Sequence, residues 1–272
     1  MATKTQSCYI RLMDRRDFLA ATAIAAVSPI SKLDALEPLA PRQYFELRRY
    51  HLLPGPKQRA FTTFVGEAAI PAMNRAGVGK VGAFTVVYGE NAPSLLLVLA
   101  HNSVETVVSL RDRLASDAEY ARAGSAILDA PLSDPPFVRV ESSLLRAFDA
   151  MPTLEPSAAA GTPTPRIYEM RTYQSHSDRA ALNKLKMFSA GEVPIFRRAG
   201  LTPVFFGETL IGSGMPSLTY MVTLADMAAR DKAWTEFLND PEWKALSGDA
   251  QYRENVSAIS DIILRPTNYS QI

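Results

Sequence analysis

The sequence predicts an α+β fold in which two ferredoxin-like modules, each ordered βαββαβ, pair their antiparallel sheets into one barrel within a single chain. Three observations carry this. Tyr44-Phe45-Glu46-Leu47-Arg48-Arg49-Tyr50 recurs as Ile167-Tyr168-Glu169-Met170-Arg171-Thr172-Tyr173, so Glu, Arg and Tyr return at every second position of a strand-like stretch. Sliding the chain on itself by 123 residues, which lays Glu46 on Glu169, aligns Pro71, Arg75 and Gly77 with Pro194, Arg198 and Gly200 without a gap. The same order of apolar patterns then runs through both copies, at a length beyond the ~20–50 residues of solenoid repeats.

Taken in order, residues 1–41 read as a twin-arginine signal and leader. Arg15-Arg16 precede Phe18-Leu19 and a small-residue apolar run to Ile30. That run, about 13 residues, is short of the roughly 20 that span a bilayer, so export to the periplasm is expected and a stable membrane span is not. Met13 offers an alternative start, which would remove the single cysteine, Cys8. The first module, 42–148, opens with the Glu46 strand. Phe61, Phe64, Val65, Ala68, Ala72 and Met73 then recur at helical spacing up to Gly77, with Pro71 expected to bend or split the helix. Val81–Tyr88 and Leu95–Leu99 read as a hairpin turning through Gly89-Glu90-Asn91. Ser103 caps the next helix, and Val138–Leu145 closes the module.

A stretch rich in proline, alanine and threonine, 149–165, reads as a linker. The second module, 166–272, repeats the plan: Ser177 and Asp226 as N-caps, strands at 204–210 and 218–222, Asp240-Pro241-Glu242 as a further helix start, and a last strand at 259–264. One four-stranded sheet with helices on one face leaves the other face bare. Two such sheets in one chain can cover each other.

Composition excludes several classes. With 29 basic and 28 acidic residues the net charge is +1, too little field to gather nucleic acid. The folded body has no cysteine for a disulfide, zinc cluster or thiol nucleophile. His51, His101 and His176 align with Gln174, Leu224 and Leu53, so no histidine is duplicated, and neither a metal nor a cofactor is expected. Gly212-Ser213-Gly214 reads as a hairpin turn, and no Gly-x-Ser-x-Gly elbow occurs.

The Tyr/Phe-Glu-x-Arg-x-Tyr strand, the Pro-x-x-x-Arg-Ala-Gly helix end and Asn239-Asp240-Pro241-Glu242-Trp243 resemble NIPSNAP domains, of the dimeric α+β barrel superfamily. The resemblance covers both modules, more fully in the second, since the first has Ala118 and Tyr120 where the second has Pro241 and Trp243. It implies the barrel and a tendency to form homo-oligomers. The family's activity is poorly defined, and its eukaryotic members are associated with mitochondria and vesicle-related roles. Superfamily relatives include haem-degrading and antibiotic-biosynthesis monooxygenases and muconolactone isomerases, an analogy of fold alone.

Period-two alternation puts Glu46, Arg48 and Tyr50 on one strand face and Phe45 and Leu47 on the other, with Glu169, Arg171 and Tyr173 opposed to Tyr168 and Met170. The polar-aromatic faces are expected to meet inside the barrel and line a small-molecule pocket. There the arginines would bind an anion, with Glu as base and Tyr as acid. The competing expectation is that Glu and Arg simply neutralise each other. Trp234, Phe237 and Trp243 are expected to be core or interface aromatics. The function read from this is binding of a small molecule or partner through the barrel; the alternative is a cofactor-independent monooxygenase or isomerase acting on an aromatic or enolisable compound.

Overall fold

The computed structural model describes residues 41–88 and 92–272. The expected signal and leader, but for Pro41, and the Gly89-Glu90-Asn91 turn lie outside the described residues. The first half supplies β1 (Tyr44–His51), β2 (Val81–Tyr88), β3 (Ser94–His101) and β4 (Arg139–Ala147). The second supplies β5 (Ile167–Gln174), β6 (Thr202–Ile211), β7 (Ser217–Leu224) and β8 (Ala258–Pro266). All pairings are antiparallel, and the sheet closes in the order β1-β3-β2-β8-β5-β7-β6-β4. Each half contributes four adjacent strands, and main-chain hydrogen bonds of β2 with β8 and β4 with β6 join the halves. Closure leaves no unpaired edge for another chain to extend.

The helices cover the outside. These are α1 (Pro56–Phe64), α2 (Ile70–Arg75), α3 (Val104–Ala115) and α4 (Ala118–Leu128) in the first half. Their counterparts are α5 (Asp178–Met187), α6 (Val193–Arg198), α7 (Met227–Asn239) and α8 (Pro241–Gly248). Ser103, Ser177, Asp226 and Asp240 cap helices as expected, accepting from the backbone N–H of Thr106, Ala180, Ala229 and Trp243. Pro71 splits its helix, as does Pro194, and the split has a definite form: a π-turn, Val65–Ala69 or Phe188–Glu192, runs into each proline-bearing segment. A widened turn makes room for a ring that cannot donate a hydrogen bond.

The structure corrects the expected orientation of the repeated strands. The barrel interior is filled by Phe45, Phe84, Leu96, Val98, Tyr168, Met170, Phe205 and Leu264, with Leu47 packed against them. Tyr50 and Tyr173 instead pack under the helices, each in its own half's core. An eight-stranded barrel is just wide enough for side chains to fill it. The apolar faces take that space, and the Glu-Arg-Tyr faces, self-neutralising and amphipathic, go beneath the helix layers. The stretch 149–165 also packs closely: Met151 is buried, Leu154 joins the interior cluster, and Glu155 N–H donates to the Val204 carbonyl. Leu154 and Ile272 seal the end of the barrel that holds Phe45 and Tyr168.

Candidate functional site

Beneath α5 and α7 the second half holds a dense polar-aromatic network. Glu169 is fully buried and accepts from Arg171 Nη1 (2.9 Å), Arg230 Nε and Nη2 (both 2.8 Å) and Trp234 Nε1 (2.8 Å). Both carboxylate oxygens are thereby occupied. The Arg171 guanidinium lies 4.7 Å from the Trp234 ring centroid and 5.8 Å from that of Tyr173. Tyr173 and Tyr220 share a 2.7 Å hydrogen bond, and burial pushes both phenols up, so both are neutral at physiological pH. Alongside them Lys184 donates to Glu192 Oε2 at 2.8 Å, and the ammonium is ringed by Phe188, Tyr173 and Trp243. Burial raises the Glu192 carboxyl's pKa, and Lys184 offsets only part of that.

The first half keeps a reduced version. Arg48 holds Glu46 through two nitrogens, Ser142 Oγ donates at 2.8 Å, and buried His101 stands 3.6 Å away. Burial pushes the Glu46 carboxyl up, but His101, Arg48 and Ser142 outweigh it and hold it at about 2. Tyr50 packs on Phe61 at 4.9 Å and Phe137 at 5.3 Å. The six predicted residues therefore form two separate clusters, one per half, outside the barrel wall. Lys184 and Glu192 fall on Phe61 and Ala69 of the first copy. That mismatch, charge against apolar, was the signal that could have found them; sequence reading missed them, along with Arg230. Trp234 is a core aromatic as expected and also a hydrogen-bond donor to Glu169.

The barrel interior holds a second candidate site. Its unsealed half contains a cavity of about 200 Å³ lined by Arg49, Glu141, Ser143, Thr172, Gln174, Thr209, Ser213, Ser217, Thr219 and Ser260, with Leu47, Leu96, Leu145 and Met170 as its floor. These side chains sit at the ends of β1, β5 and β6, the starts of β4, β7 and β8, and, for Ser213, in the turn between β6 and β7. Thr172 and Thr219 share a hydrogen bond (2.9 Å), and Ser217 donates to Thr209 (3.0 Å). The Gly212-Ser213-Gly214 turn folds across the rim. A Cβ at Gly212 would fall 2.6 Å from Ser143 Oγ, and one at Gly214, whose φ is +67°, would fall 2.4 Å from the Gln174 amide nitrogen. Only glycine lets this turn sit so close. The sequence hid this site because its residues share the faces that read as oily: Arg49, Thr172 and Gln174 continue the lines of Leu47 and Met170.

Among the described residues no three His, Cys, Asp or Glu side chains converge as metal ligands would, and no helix is long and apolar enough to cross a membrane. His51 lies 3.2 Å from Glu141, and His176 is exposed.

The fold is similar to that of a proposed monooxygenase from Fusobacterium nucleatum subsp. nucleatum: 8% identity, 83% of this chain and 92% of that one covered, TM-score 0.54. A proposed monooxygenase from Lactobacillus acidophilus NCFM is similar at 8% identity, with 83% and 94% covered and TM-score 0.52. At such identities the likeness is one of fold. A NIPSNAP-like domain protein of Burkholderia xenovorans is 19% identical over 38% of this chain and 87% of its own, at TM-score 0.35. Comparison with curated proteins finds no match. The NIPSNAP family model matches residues 45–130 and again 168–271, on the two copies of the repeated strand and the helices that follow it. With more than half of its length matched in this duplicated form, the chain belongs to the NIPSNAP family.

Proposed function

We propose that this protein binds a small molecule in the polar half of its barrel. One observation carries the reading: the interior is filled at one end and left open at the other. The sealed half packs ring against ring, Phe45 on Phe205 at 5.0 Å and Phe84 on Tyr168 at 4.8 Å. The other half places serines and threonines where large apolar residues would fit, and keeps a cavity of about 200 Å³. A polar cavity of that kind holds exchangeable water, which a ligand with matching donors and acceptors can displace. The volume is under the ~300–1,000 Å³ of drug-sized sites, so the ligand is small.

The competing reading is a cofactor-independent monooxygenase or isomerase using Glu, Arg and Tyr of the repeated strand. The two structural neighbours with monooxygenase names supply that idea. It is weakened by the saturation of Glu169 by three donor side chains, and by a Glu46 carboxyl held at about 2, since a general base works best near the ambient pH. In the proposed scheme these networks fix the helices on each half, which we read as a ferredoxin-like module. The twin-arginine segment would place the protein in the periplasm; loss of export on Arg15→Lys/Arg16→Lys substitution tests that.

A fragment screen by ligand-observed NMR tests the binding site. Ser260 lies on the exposed rim, so Ser260→Trp blocks the mouth with little effect on the fold. Fragments that bind the native protein and are lost in Ser260→Trp support the lumen site. Fragments that bind both proteins equally place the site elsewhere and overturn the reading.

A further inference from the structure

We infer that the ligand of the barrel mouth is a small hydroxycarboxylate anchored by Arg49, an inference that rests on the lumen-binding reading above. Arg48 and Arg49 are neighbours in sequence but point to opposite faces of β1 and differ in their partners. Arg48 is held by Glu46 on the outer face. The Arg49 side chain lines the cavity and, among the described residues, its guanidinium makes no hydrogen bond or ion pair to any protein group. Its cross-strand neighbours are Leu96 on β3, which has nothing to accept, and Glu141 on β4, whose carboxylate is 3.2 Å from His51 Nε2 instead. A guanidinium presents a planar fork of cationic donors that fits a carboxylate. The second copy has Thr172 at the equivalent position, so the described lining has a single cationic pole.

The rest of the lining narrows the ligand's class. Arg49 is the only cation among the described lining residues, and Glu141 stands beside it, so a monoanion is favoured over a phosphate dianion. Around the rest of the lining lie Ser143 on the neighbouring β4, Thr209 on β6, Ser217 and Thr219 on β7 and Ser260 on β8, hydroxyls that each donate once and accept twice. The two hydroxyl pairs formed among the lining residues leave most of that capacity unused. A carboxylate at the Arg49 end with hydroxyl groups toward β7 and β8 satisfies both poles. At ~30 Å³ per water the space holds roughly seven waters, which corresponds to an acid of roughly three to six carbons.

Calorimetric titration of the purified protein with lactate, glycerate and gluconate, beside the neutral lactamide and glycerol, tests this. The acids are expected to bind saturably and more weakly as salt rises, and the neutral compounds not to saturate. Arg49→Gln should weaken the acids about 10-fold or more, the scale of a lost charge-assisted hydrogen bond, with part recovered in Arg49→Lys. Glu141→Gln removes the adjacent negative charge and should tighten them; it serves as the second arm should Arg49→Gln fail a circular-dichroism check of the fold. Neutral compounds binding as well as the acids, acids indifferent to Arg49 and Glu141, or no saturation by any acid overturns the inference. The lumen reading is judged separately, since the Ser260→Trp fragment screen needs no carboxylate.

Discussion

Lys184 and Glu192 form a buried ion pair whose cost can be worked out from the repeat itself. Both residues are almost wholly inaccessible, at 3% and 1% exposure, and they meet at 2.8 Å within an aromatic ring of Phe188, Tyr173 and Trp243. In Lys184→Met the Glu192 carboxylate stays buried without its counter-charge, a change that costs about 3–5 kcal/mol in comparable cases. For a body of this size that is a fall in melting temperature of about 6–20 °C. The first copy shows the apolar solution at the aligned positions, Phe61 and Ala69, buried to 1% and 3% exposure. Lys184→Met/Glu192→Leu should therefore recover most of the loss, leaving it within about 1–2 kcal/mol of the native protein or more stable. The single variant's defect should also depend on pH. Burial raises the Glu192 carboxyl above its unfolded value, so the folded state holds the proton more tightly. Stability is then gained as pH falls through the folded pKa and lost as it rises, and Lys184→Met should be worse at pH 8 than at pH 5. Urea unfolding of the two single variants and the double at both pH values gives the coupling energy. A double variant whose loss equals the sum of the singles would refute the pairing argument.

Three further outcomes follow from the same geometry. Glu46, held at about 2, stabilises the fold above its unfolded value near 4.5, and that contribution is lost as pH falls from there toward 2. It amounts to about 3 kcal/mol, so Glu46→Gln should flatten the acid limb of the stability profile, measured by denaturant midpoint against pH. Trp234→Phe keeps an aromatic ring at this position but loses the indole N–H that donates to Glu169; a loss of at least about 1–2 kcal/mol is expected, and none at all would mean that the indole bond contributes nothing. Gly214→Ala meets both a positive φ and the Gln174 amide, so it should lift the turn from the rim and shift the Gln174 side-chain NMR signals.

Much of the architecture was legible in the sequence. The repeat gave two equivalent halves, period-two alternation gave the strands, and Ser103, Ser177, Asp226 and Asp240 marked helix starts where they occur. Which face of β1 and β5 turns inward was not legible. Alternation divides side chains into two sets but does not say which set a closed barrel will choose, and the choice depended on lumen width and on Arg230, Trp234 and Ser142 arriving from distant elements to satisfy the two glutamates. Arg49 was overlooked for a related reason: beside Arg48 it reads as one basic pair, whereas the pleat sends the two to opposite sides of the wall.

Thiol accessibility distinguishes an open end of the barrel from a sealed one. In a Cys8→Ser background, which removes the chain's single cysteine, Thr219→Cys reports on the polar half and Val98→Cys on the packed half. Methyl methanethiosulfonate is predicted to label Thr219→Cys in the folded state and to leave Val98→Cys unlabelled until the protein is unfolded. Equal protection of the two positions would contradict an open mouth.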